Sequence, residues 1–176
     1  MAPASYRPPP MLQPHEILAR LNPELTNDLF AHLHGSERKL YQATIETLAK
    51  QRRFRPVFIE RKQLAERNAW MKDALGRAAN NAVAAHLLQI WFVGAHKDVL
   101  CDFLDALGIS HDENGTIEQL PPPPAKEDLK KAVDTLIGKH SQGLVAAYLQ
   151  TFQALDDSGG WPTLEELLAE DERLKL

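Results

Sequence analysis

Ala78-Ala79-Asn80-Asn81-Ala82-Val83-Ala84-Ala85-His86-Leu87-Leu88-Gln89-Ile90-Trp91-Phe92-Val93-Gly94 contains no acid, no lysine and no arginine. At helical spacing its apolar residues fall nearly all round the axis, and only Asn81, His86 and Gln89 form a narrow polar stripe. A helix of that kind belongs at the centre of a bundle. The run is too short to span a bilayer comfortably, and His86 and Gln89 interrupt it.

Outward from this stretch, the other long segments carry apolar stripes at a 3.6-residue period. Before it run Leu25, Leu29 and Leu33, then Leu40, Tyr41, Ile45 and Leu48, then Leu64, Trp70, Met71 and Leu75. After it run Val99, Leu100, Phe103 and Leu104, then Leu129, Val133 and Leu136, then Leu144, Tyr148, Leu149 and Phe152, then Leu164, Leu167 and Leu168. One-sided helices need a common core, so the spacing predicts an all-α fold. The expected form is an irregular bundle of six to eight helices around 78–94.

Local signals set the breaks. Asn22-Pro23-Glu24 combines a capping side chain, a proline at the first helical position and an acid facing the helix dipole. Ser36 and Ser141 are expected to cap, Gly108 to end a helix, and Thr163 with Glu166 to form a capping box. Val57-Phe58-Ile59 is β-rich but has no partner strand, and it reads as an extended connector. Asn114-Gly115 between Ile109 and Ile117 predicts a tight turn or a small β-ribbon. Pro121–Pro124 follows as a stiff spacer. Five of the twelve prolines lie in the first 14 residues, so 1–13 reads as a Pro-rich tail, disordered or extended. Residues 14–176 read as one helical domain, with any subdivision falling near 109–125.

Charge is unevenly divided. Residues 1–80 hold 13 Lys/Arg and 8 Asp/Glu, whereas 81–176 hold 7 and 16, within a total of −4. A basic end and an acidic end can orient a partner. The two halves are expected to satisfy each other largely within one molecule, leaving a monomer or a homodimer held by an apolar face. The single Cys101 allows no internal disulfide and fits a reducing cytoplasm. The first residues show no apolar signal core, so a cytoplasmic protein without membrane attachment is expected.

The densest positive patch is Arg52, Arg53, Arg55, Arg61 and Lys62, extended by Arg67 and interleaved with Phe54 and Phe58. Arginine forks carboxylates bidentately, which suits a protein partner. Cations beside an aromatic also hold phosphates and stack bases, which suits nucleic acid.

His86 is a second candidate, because a histidine on an enclosed helix can act as base, ligand or pH switch. His111-Asp112 is a third. It is similar to the adjacent metal pair of the HD-type phosphohydrolases, which implies a metal-dependent hydrolase. That chemistry needs further ligands from neighbouring helices, for which His86, His96, Asp134 and Asp156 are the available residues. A calcium loop is not supported, because Pro121 stands where the closing bidentate acid belongs. Cys101 has no neighbour in sequence to activate its thiol.

No phosphate-binding glycine loop, zinc-protease helix, paired Cys-x-x-Cys or nucleophile elbow occurs, and no cofactor is expected. The reading favoured is a non-enzymatic helical adaptor or scaffold that docks a protein. The alternatives are a nucleic-acid-associated protein using residues 52–67 and the metal-dependent hydrolase.

Overall fold

The computed structural model describes residues 11–156 and 159–176. Among them there are ten α-helices, two 3-10 turns and no strand. The helices are α1 (Pro14–Arg20), α2 (Pro23–Ser36), α3 (Arg38–Gln51), α4 (Pro56–Glu60) and α5 (Leu64–Leu75). They continue with α6 (Asn81–Ala95), α7 (Lys97–Ala106), α8 (Lys126–Lys139), α9 (Gln142–Leu155) and α10 (Pro162–Glu170). The 3-10 turns are Ala78–Asn80 and Glu172–Leu174.

The all-α expectation holds, but the helix count exceeds six to eight, and α1 and α4 make the difference. Both start with proline at the first helical position, where its fixed φ and missing N–H cost nothing. Within the expected tail, residues 1–10 lie outside the described residues, and Gln13 is extended (φ −80°, ψ 155°) just before α1. Val57-Phe58-Ile59 is one helical turn rather than an extended connector. Phe58 N–H donates to the Arg55 carbonyl at 3.0 Å, and Arg61 N–H to that of Val57 at 3.0 Å. With no strand to pair with, the backbone satisfies itself locally, which overrides β-propensity.

Asn22 caps α2 as expected, its side chain accepting from Leu25 N–H at 2.8 Å, and Ser141 caps α9 from Leu144 N–H at 3.3 Å. Ser36 instead closes α2, and α3 starts from Glu37 without a side-chain cap. Thr163 is not a cap either. Trp161 holds the N-cap position of α10, and the Thr163 hydroxyl donates to the Pro124 carbonyl at 3.0 Å. Near Asn114 there is a turn and no ribbon. Asp112 Oδ1 accepts from Asn114 N–H and from Thr116 N–H, both at 2.9 Å, so a side chain organises the loop.

α6 packs on α1, α2, α5, α7 and α9, so its central placement holds. It is not enclosed all round. Ala84, Leu87, Leu88, Trp91 and Phe92 are buried, whereas Ala82, His86, Gln89 and Val93 form an exposed stripe. The fully enclosed helix is α9, where Leu144–Thr151 is buried without interruption. It too lacks any charged residue. Its two buried glutamines, Gln150 and Gln153, are spent on backbone. Gln150 Nε2 donates to the Leu174 carbonyl at 3.1 Å, which binds the last 3-10 turn to the bundle. The buried side chains from Ile17 to Leu174 form one apolar cluster. No helix among the described residues is long and apolar enough to cross a membrane.

Candidate functional site

The basic patch is built at the corner between α3 and α4. α3 ends with Arg53 in the left-handed region (φ 58°), donating to the Lys50 carbonyl at 3.1 Å, while Phe54 N–H donates to that of Ala49 at 2.9 Å. This is the double hydrogen bond of a Schellman ending, in which glycine is the usual left-handed residue. α7 ends the same way with Gly108 at φ 68°. Arg53 alone among the described non-glycine residues has a positive φ. An L-residue held there costs about 1 kcal/mol.

The corner throws its side chains outward. Only Ile59 of α4 is buried. Phe54 is 49% exposed, Val57 37%, Phe58 57% and, at the start of α5, Leu64 46%. These are four of the five large hydrophobic residues exposed among the described residues. Arg61 follows Val57 by four residues and Phe58 by three, so it lies beside each of them on the helical surface.

The cations around them differ in their partners. Arg52 Nη2 lies 3.5 Å from Asp73 Oδ2, which Arg77 also reaches at 3.2 Å. Arg67 lies over the Tyr41 ring, 5.8 Å from its centroid. Burial pushes the Tyr41 phenol up, with Arg67 opposing it, and its hydroxyl donates to Asn68 Oδ1 at 2.9 Å. Arg53, Arg55, Arg61 and Lys62 make no side-chain hydrogen bond or ion pair among the described residues. The only nearby acids in sequence are Glu60, which accepts from Gln42 Nε2, and Glu66.

The expected neutralisation of one half by the other is therefore not what the fold produces. Lys126 pairs with Glu166 and Glu170, Lys139 with Asp102, and Arg173 with Asp134 and Asp171, all inside the acidic half. Packing on the core decides which helices meet, and it leaves the basic corner away from the acids of residues 81–176.

The histidine candidates do not converge. His86 stands exposed on the outer stripe of α6, not on a buried face, and has no hydrogen-bond partner among the described residues. His111 Nδ1 faces the Asp112 carbonyl, and its Nε2 lies 2.7 Å from Asp105 Oδ1. Those two hydrogen bonds raise its pKa above the ordinary histidine value. Asp112 itself is occupied by the turn. No group of three His, Cys, Asp or Glu among the described residues could hold a metal ion. Cys101 is no better placed, since desolvation and then Asp105 and Asp102 push its thiol up.

Sequence reasoning missed two acid–histidine pairs. Asp28 Oδ2 lies 2.6 Å from His96 Nε2 and accepts from Trp91 Nε1–H at 2.8 Å. Burial would raise the Asp28 pKa, but the hydrogen bonds from His96 and Trp91 outweigh it and hold the carboxyl low. His140 Nε2 meets Asp102 Oδ2 at 2.8 Å. Among the described residues neither pair has a hydroxyl or thiol bonded to its histidine for the imidazole to activate.

A cleft of about 570 Å³ opens between α1, α9, α10 and the last residues, lined by Met11, Leu12, Glu16, Arg20, Leu168 and Lys175 among others. Its lining includes no histidine, cysteine or serine. No protein-family model, curated protein or solved structure matches this chain.

Proposed function

We propose that this chain is a non-enzymatic helical docking module, an adaptor or scaffold, that binds a protein partner through the corner formed by residues 52–64. One observation carries the reading: Phe54, Val57, Phe58 and Leu64 all stand exposed in one short stretch of chain, interspersed with Arg53, Arg55, Arg61 and Lys62, which have no side-chain partner among the described residues. Apolar groups clustered at a surface and ringed by polar ones mark interaction sites, and aromatics with arginine dominate their binding energy. The strained backbone at Arg53 supports it further, because such residues concentrate where function requires them. The module is read as cytoplasmic from its single free Cys101, and as a monomer or homodimer before its partner binds.

The nucleic-acid reading has one observation of its own, the exposed phenylalanines beside unpaired arginines, which could stack bases. Val57 and Leu64 have no part in stacking, which favours protein. A photo-crosslinking residue at Phe58, compared with one at exposed Lys130, separates the two in cells. A protein adduct specific to position 58 is expected. An adduct that nuclease removes would reject protein docking in favour of nucleic acid, and equal labelling at both positions would reject the surface.

A further inference from the structure

We infer that the occupant of this corner is an acidic segment of a different protein, with carboxylates set around two or more apolar side chains, and not a second copy of this chain. The inference rests on the docking reading above and adds the chemistry of the partner.

A face-to-face dimer through the corner would set Arg53, Arg55, Arg61 and Lys62 against their own equivalents. Like charges brought together at an interface are repelled. A head-to-tail contact with the acidic half would satisfy the charges. It would leave the apolar side chains unmatched, because that half exposes no large hydrophobic residue among the described residues except Val93. A second copy therefore offers either the apolar match or the charge match, never both.

A partner must supply both at once. Apolar side chains cover Phe54, Val57, Phe58 and Leu64, and carboxylates meet the cations at the rim. Three of the four cations of the corner are arginines, whose planar forks donate bidentately to a carboxylate and keep donors available for a second one. Arg53, Arg55, Arg61 and Lys62 stand in the same stretch of chain as four of the five large hydrophobic residues exposed among the described residues. The acidic remainder of the chain works against anionic polymers and membranes as a whole, whereas a short peptide reaches the corner without approaching that half.

The test is selection of a random peptide library displayed on phage against the intact protein, with counter-selection on the double variant Arg61→Glu, Lys62→Glu. Both side chains are exposed and unpaired, and circular dichroism verifies that the variant keeps its helices. Enriched peptides are expected to be acidic with at least two apolar residues, and to bind the variant about tenfold or more weakly at about 0.15 M salt. Peptides that need the corner but carry no acidic excess overturn this inference and leave the docking reading standing. Absence of any corner-dependent peptide overturns both, as does binding of an oligonucleotide or of phosphatidylserine vesicles there in its place. Sedimentation showing self-association that Arg61→Glu abolishes also overturns it, in favour of a second copy.

Discussion

Asp28 and His96 meet at 2.6 Å and make the sole ion-pair contact between residues 1–80 and 81–176 among the described residues. The same carboxylate accepts from the fully buried Trp91, so α2 is tied to α6 and to the start of α7 through one side chain. Among the described residues, the other contacts that join the two halves are apolar packing and the hydrogen bonds from His15 to Asn81.

Replacing Asp28 should therefore act mainly through Trp91. Asp28→Ala strands a buried indole N–H and is expected to destabilise by about 1–3 kcal/mol. Asp28→Asn keeps an acceptor and should cost less. Because the folded carboxyl is held low, its contribution is present above the ordinary aspartate range and fades as pH falls through the folded value. Urea unfolding across pH 3–7, on the order of the aspartate range and above, checks this. A wild-type minus Asp28→Asn difference that grows on acidification would contradict it.

Gln153 is fully buried and holds three backbone groups. It donates to the Gly159 carbonyl at 3.1 Å and the Trp161 carbonyl at 3.0 Å, and accepts from Trp161 N–H at 3.0 Å. Gln153→Leu keeps the bulk and leaves the backbone groups unmatched, so a loss of about 2–4 kcal/mol is expected. Calorimetry reads the change, and a loss below about 0.5 kcal/mol would show that water replaces the amide.

Arg53→Gly separates stability from binding. Glycine removes the left-handed strain, so the variant should unfold at higher urea, by about 0.5–1 kcal/mol. The same change deletes one rim cation and should weaken crosslinking at Phe58. A purely structural Arg53 would leave the crosslink intact.

His111 makes a pH-dependent contact with Asp105. Its folded pKa lies above the ordinary value of 6.5, so its stabilisation is complete below that value and disappears as pH rises through the folded pKa. In His111→Gln the stability profile should lose that decline. Proton NMR of the His111 ring provides the titration directly, and a midpoint at or below 6.5 would refute the contact.

The 3.6-residue stripes, the Asn22-Pro23 start, the Ser141 cap and the Gly108 ending were legible because each depends on residues within a turn or two of one another. The charge division and the basic run 52–62 were legible for the same reason, as properties of local composition. Tertiary structure decided the rest. Which of two uncharged helices is enclosed depends on neighbours, and α9, with Gln150 bonded to the distant Leu174 carbonyl, is enclosed where α6 exposes His86 and Val93. Whether Val57-Phe58-Ile59 becomes strand or turn depends on whether a second strand exists to complete its hydrogen bonds, and among the described residues none does. Whether Arg53, Arg55, Arg61 and Lys62 are neutralised depends on which helices the apolar core brings alongside them. Burial of apolar surface is non-directional and outweighs exposed ion pairs, so the core chose the neighbours and left those charges facing outward.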